Sequence, residues 1–275
     1  MSTFILPGSD SVSVTLPSDL SKDQLLQFPA FRTWLSTLQS NLRRQAASRD
    51  HEFHGHPYIL RGIKVQSVDR FGGGERLGFV KLIADIKNDK NESLPGSVFL
   101  RGPSVAMMVI LQPNDVEEGS ETEKHVLLTL QPRIPAATLA MPELPAGMVD
   151  GGTFSGSAAK EIREELGLEI PEEQLTNLTE LSILHGDEKG ERIPRAVFPS
   201  AGGCDEYIPI FMHTRRVPRS QLKEWTGRLT GLRDHGEKIT LKLVRLEDLW
   251  QEGARDAKAL GAYALYQGLK SVGRL

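Results

Sequence analysis

One segment limits this chain's fold more than any other: residues 143–168, ELPAGMVDGGTFSGSAAKEIREELGL. After a Pro-Ala-Gly turn, Ala158, Ala159, Ile162 and Leu166 recur at helical spacing, which predicts a short amphipathic helix with one buried face. Thr153, Ser155 and Ser157 are candidate N-caps, and Gly167 stands where a left-handed C-terminal cap is wanted. Opposite the apolar stripe, Glu161, Glu164 and Glu165 should share a patch, because residues three and four apart are neighbours on a helix. Like charges at that spacing cost roughly a few tenths of a kcal/mol per pair unless something neutralises them. A hard divalent cation would do so, and Mg²⁺ on carboxylates with open positions commonly meets substrate phosphates. The plainer reading is a solvated acidic face balanced by Lys160 and Arg163; the turn and the residue order of 160–168 favour the cation.

These residues resemble the Nudix box: Gly, five residues, Glu, seven residues, Arg-Glu, a hydrophobic residue, any residue, Glu-Glu, any residue, Gly, a hydrophobic residue. KEIREELGL (160–168) matches the second half, with Lys160 in the arginine's place, and Gly147 opens the box. Lys160 can pair with a carboxylate only as a point charge, without arginine's bidentate fork. Two features depart from the pattern. Gly147 to Lys160 is one residue short, and the first glutamate's place falls near Gly152 or Thr153, neither acidic.

Flanking segments narrow the resemblance. ELPAG (143–147), RGPSVA (101–106), QPRIP (131–135) and FPSAGGCDE (198–206) are similar to the nucleotide-sugar diphosphatase branch. TGLRDHGE (230–237) and DAK (256–258) resemble the plant ADP-glucose diphosphatases. The resemblance implies an α/β fold, the Nudix α/β/α sandwich around a mixed sheet. It implies hydrolysis of a nucleoside-diphosphate sugar with Mg²⁺, or Mn²⁺; ADP-glucose is the first expectation, ADP-ribose the second and UDP-glucose the third. The metal ligands it implies are the Ala146 carbonyl, Glu161, Glu164 and Glu165. Glu237, on a loop before a strand, is the expected general base, Glu206 its alternative, and Glu164 the other catalytic candidate. Arg101, Arg133, Gly147, Ser200 and Glu206 are candidate substrate contacts, although structural salt bridges are the plain alternative for both arginines. Phe71 or Trp34 could stack on a base. A non-catalytic nucleotide-binding protein is the competing class.

The 275 residues suffice for one large or two smaller domains. With a net charge of −3, no global basic surface is available for nucleic acid. Cys204 is the lone cysteine, so no internal disulfide can form and a reducing compartment is expected. No apolar run reaches membrane-span length, and MSTFILPGSDSVSV reads as no secretory signal, so the expected location is cytoplasmic.

Along the chain, residues 1–20 read as an extended lead-in. A capping box at Ser21 to Gln24 starts a helix running to about residue 48, with an interruption at Pro29. Strands follow near 63–68, 79–86 and 98–100, with a Gly72-Gly73-Gly74 turn. His51, His54 and His56 match no ligand spacing and read as loop. The expected organisation is a helix plus small antiparallel β unit (1–97) and a hydrolase domain (98–275). By the resemblance, the first unit packs between two subunits of a homodimer and helps form the nucleoside pocket. Further strands are expected at 105–111, 125–130, 178–184, 207–213 and 239–244, with a closing amphipathic helix at 255–269.

Overall fold

The computed structural model describes residues 1–149, 153–183, 190–191, 193–231 and 238–275. They divide into two compact units. The first comprises the described residues of Met1–Pro103, His185–Pro194 and Ser200–Glu206; the second, those of Ser104–Leu184, Arg195–Pro199 and Tyr207–Leu275.

In the first unit, β1 (Ser2–Ile5) and β2 (Ser13–Leu16) form an antiparallel pair. Helix α1 (Lys22–Gln27) opens with the expected capping box: Ser21 Oγ accepts the Gln24 N–H at 3.2 Å, and Gln24 Oε1 accepts the Ser21 N–H at 3.1 Å. The break at Pro29 is also present, since α2 (Pro29–Ala47) begins on that proline, whose fixed φ and missing N–H suit a first helical position. Long strands β3 (Ile59–Phe71) and β4 (Arg76–Lys87) are joined at Gly72–Gly74 and followed by β5 (Ser93–Leu94) and β6 (Ser97–Leu100). The sheet runs β1-β2-β3-β4-β5, with β6 also on β4.

The strands of this unit differ from expectation in two ways. The lead-in supplies two strands, so a β-hairpin precedes the helices. The sheet is mixed, because β2 and β3 pair in parallel through Ser13↔Gly62 to Thr15↔Lys64. A parallel pair requires a crossover, and α1 and α2 are that connection. The unit extends past residue 97 because β6 pairs with β4 through Val80↔Leu100. Its core gathers Val14, Leu16, Leu25, Phe31, Ile63, Val65, Val80, Leu82 and Leu100.

The second unit contains β7 (Ser104–Pro113), β8 (His125–Arg133), β9 (Thr138–Glu143), β10 (Ala146–Met148) and α3 (Phe154–Glu161). There follow β11 (Thr176–Asn177), α4 (Leu178–Ser182), β12 (Ile210–Val217), α5 (Arg219–Trp225), β13 (Leu229–Thr230) and β14 (Ile239–Arg245). Helices α6 (Leu249–Glu252) and α7 (Ala257–Ser271) close it. The sheet order is β11-β12-β7-β8-β14-β13, with β10 on β7 and β9 on β8; β7 and β12 are parallel and the other pairs antiparallel.

Strand β7 is buried along its whole length, as a strand covered on both faces must be. Val105, Met107, Val109 and Leu111 pack with Ile162, Leu166, Leu222 and Trp225 on one side. Ala106, Met108 and Ile110 pack with Leu249, Ala259, Ala262 and Tyr266 on the other. The unit is therefore an α/β/α sandwich around a mixed sheet. Residues 178–182, expected as strand, are helical. Asn177 caps them by accepting the Glu180 N–H at 3.0 Å, and Leu178 and Leu181, three apart, both pack on the α7 side. Central strands β7 and β8 pair only through Ile110↔Val126 and Leu111↔His125. Beyond that, β10 takes the edge of β7 and β9 that of β8, and the turn between β9 and β10 carries the candidate site.

Candidate active site

Two short elements converge at this turn. Helix α3 starts where Thr153 Oγ1 accepts the Gly156 N–H at 3.0 Å. It continues as a π turn over Ile162–Leu166 and stops at Gly167, in the left-handed region with φ 66°. Inserted π turns recur at functional sites because they re-aim side chains. The turn is pinned by its backbone: the Met107 N–H donates to Pro145 O at 2.9 Å, and the Ala146 N–H to Glu165 Oε2 at 3.2 Å.

Glu161 and Glu165 flank this turn. A Cβ on Gly147 would stand 1.9 Å from the Glu161 carboxylate carbon and from Oε1. The Glu161 carboxylate thus lies directly over the Gly147 backbone, and only glycine leaves room for it. Glu165 is buried, and Gln131 Nε2 also donates to its Oε1 at 3.5 Å. Burial, then repulsion from Glu161 and Glu143, pushes the Glu165 carboxyl from the ordinary 4.5 up to about 8; the Ala146 N–H and Arg133 pull the other way.

Behind them lies a buried ion network. Glu143 Oε1 accepts from Arg133 Nε at 2.6 Å, and Lys258 Nζ donates to Glu143 Oε2 at 3.2 Å. Lys258 Nζ also donates to Asp256 Oδ1 at 2.8 Å, and Asp256 Oδ2 accepts the Leu144 N–H at 2.9 Å. Burial works against the charge on Lys258, but Asp256 and Glu143 outweigh it and raise its pKa. Arg133 is likewise raised, Glu143 and Glu165 overcoming burial. Its side chain is 41% exposed, and among the described residues its terminal nitrogens make no hydrogen bond, so the fork is open to an anion.

The charges provide a test for a metal. Glu143, Glu165 and Asp256 act on Arg133, Glu143 and Asp256 act on Lys258, and Glu161 and Glu143 repel Glu165, a repulsion that a divalent cation would relieve. Carboxylates with a backbone carbonyl alongside are the oxygen donors Mg²⁺ takes. Glu161, Glu165 and the Ala146 carbonyl could supply them. Among the described residues, however, no three His, Cys, Asp or Glu side chains gather as a metal-holding group. Glu164 Oε2 lies 4.0 Å from Lys160 Nζ, and the carboxylates acting on Glu165 are Glu161 and Glu143.

Arg101, Ser200 and Glu206 belong to the first unit. There Arg101 Nη1 pairs with Glu206 Oε1 at 3.2 Å, the salt bridge held as the alternative reading. The Ser200 carbonyl accepts the N–H groups of Gly203 and Cys204 in a turn. Glu237 lies outside the described residues. Sequence reasoning missed Glu143, Asp256 and Lys258 as partners; their only signal was membership of the ELPAG and DAK motifs. It also missed Glu172, whose Oε2 accepts from Thr153 Oγ1 at 3.1 Å and Ser155 Oγ at 2.8 Å. A carboxylate thus stands beside Thr153, where the box pattern places its first glutamate, but it comes from beyond the helix.

A NUDIX domain pattern matches residues 104–266. Nudix hydrolase 14, chloroplastic, of Arabidopsis thaliana is 36% identical over 286 positions, covering 96% of this chain and 84% of that protein. The crystal structure of an ADP compounds hydrolase superposes with a TM-score of 0.51 at 16% identity, covering 79% of this chain and 97% of that one, a likeness of fold.

Proposed function

The chain belongs to the NUDIX family and is a Nudix hydrolase; from that premise we propose that it cleaves the diphosphate bond of a nucleoside-diphosphate sugar with Mg²⁺. ADP-glucose is the first choice of substrate and ADP-ribose the second. The products are a nucleoside monophosphate and a sugar phosphate. One observation carries this reading: the Glu161 carboxylate lies over Gly147 and, with Glu143, repels the buried Glu165, beside an arginine whose terminal nitrogens make no hydrogen bond among the described residues. The motifs at 230–237 and 256–258 support the ADP-sugar branch.

Residues of the turn and helix would hold the cation: the Ala146 carbonyl, Glu161, Glu164 and Glu165. When bound, Mg²⁺ supplies a more acidic water and neutralises charge at the diphosphate. Arg133 binds a phosphate oxygen pair through its terminal nitrogens, since guanidinium matches phosphate bidentately. Glu143 fixes the other edge of that guanidinium. Gln131 and the Ala146 N–H orient Glu165. Glu237 remains the proposed acceptor of the water's proton, with Glu206 as the alternative, and Glu164 the other proposed catalytic residue. Arg101 and Ser200 remain proposed substrate contacts, and the first unit a proposed dimerisation element.

The test is turnover with Mg²⁺ on ADP-glucose, ADP-ribose, UDP-glucose and diadenosine polyphosphates, in ¹⁸O water with products weighed by mass. The proposal expects EDTA-sensitive cleavage of an ADP-sugar and one labelled product. Equal, EDTA-insensitive traces on every compound would overturn it in favour of a nucleotide-binding protein.

A further inference from the structure

Resting on the diphosphate-binding role of Arg133 just proposed, we infer that Lys258, steadied by Asp256 at the start of α7, is a positioning residue that keeps the Arg133 fork open by occupying one oxygen of Glu143. The geometry is specific. Glu143 is buried, its side chain 5% exposed, and has two oxygens to offer. Lys258 donates to Oε2 at 3.2 Å, and Arg133 reaches Oε1 through Nε at 2.6 Å. An arginine beside a carboxylate with both oxygens available closes into a bidentate pair, using a terminal nitrogen for the second bond. That pairing would withdraw from a phosphate one of the donors it needs. Lys258 prevents it.

Asp256 makes Lys258 dependable. Its Oδ1 accepts from Lys258 Nζ at 2.8 Å and from the Lys258 N–H at 3.0 Å, so the same carboxylate caps α7 and fixes the lysine. Its Oδ2 accepts the Leu144 N–H, tying this ladder to the turn that carries Ala146. Asp256 and Lys258 lie well beyond the Nudix helix, which ends at Leu166, so the box pattern does not include them. Neither touches the open fork; each acts through Glu143.

A double-mutant cycle reads this directly, with α,β-methylene-ADP binding measured calorimetrically in EDTA and steady-state turnover measured with Mg²⁺. Lys258→Met should weaken α,β-methylene-ADP about tenfold, the scale of one charge-assisted hydrogen bond, and raise KM more than it lowers kcat. Arg133→Gln should lose a similar factor, and the double variant little more, because both remove the same interaction. Should Lys258→Met fail to fold, Asp256→Asn takes its place: it keeps an acceptor for Leu144, removes the charge that steadies Lys258, and should cost about threefold, part of one such bond. A wild-type chain that turns over nucleotide sugars while Lys258→Met binds α,β-methylene-ADP normally, or adds fully to Arg133→Gln, overturns the positioning role alone. A wild-type chain that neither binds α,β-methylene-ADP nor cleaves any nucleotide sugar removes the parent reading and this one with it.

Discussion

Gly147 has no Cβ, and the Glu161 carboxylate occupies the space where one would stand. The end of a glutamate side chain can swing away, so Gly147→Ala should fold with little loss of melting temperature. The displaced carboxylate should nevertheless reduce kcat/KM by about 10²-fold, the usual penalty for a misplacement near 1 Å. Unchanged turnover in that variant would show that Glu161 does not act from this position. Glu165 makes a second prediction, in pH. Below 4.5 its carboxyl is protonated in both folded and unfolded chains; between 4.5 and about 8 only the folded chain keeps the proton. The unfolded state then binds fewer protons, so stability falls as pH rises through that window and levels off above it. In EDTA the wild-type melting temperature should decline from pH 5 to 8 relative to Glu165→Gln, and saturating Mg²⁺ should remove the difference. Parallel melting curves for the two proteins in EDTA would contradict this.

At the scale of elements, the sequence was readable wherever one residue type has one job. Ser21 with Gln24, Pro29, Thr153 and Gly167 mark helix ends that the structure keeps. Thr153→Ala should accordingly cost about 1 kcal/mol in chemical denaturation, the common value of an N-cap; no loss would mean that Glu172 and Ser155 hold the helix start without it. Residues 178–182 were misread because a short apolar run has no period long enough to separate strand from helix. The Asn177 cap settled it. The parallel pairing of β2 with β3 was hidden because its partners lie about fifty residues apart and nothing local encodes it. The same limit hid part of the site. Glu161 and Glu165 share one helix and were legible, whereas Glu143, Asp256 and Lys258 meet only after α7 folds back on the sheet.

The molecule as a whole comprises two units with separate cores, and the second holds the charge network described above. The α/β/α sandwich of that unit was expected from family resemblance; periodicity alone would not have chosen it. Packing on both faces of β7 explains why this arrangement suits the site. A rigid, fully buried strand supports the Pro145 turn through the Met107 N–H, while helices on opposite faces deliver Glu165 and Lys258. We propose this network as a divalent-cation site used to hydrolyse a nucleotide diphosphate. Its most direct test is Mn²⁺ titration followed by electron paramagnetic resonance on the wild-type chain and Glu165→Gln, with ADP-glucose and ADP-ribose turnover measured on the same samples. Saturable Mn²⁺ binding and turnover are expected in the wild-type chain, both greatly reduced in Glu165→Gln. Equal Mn²⁺ affinity and equal turnover in the two proteins would contradict it.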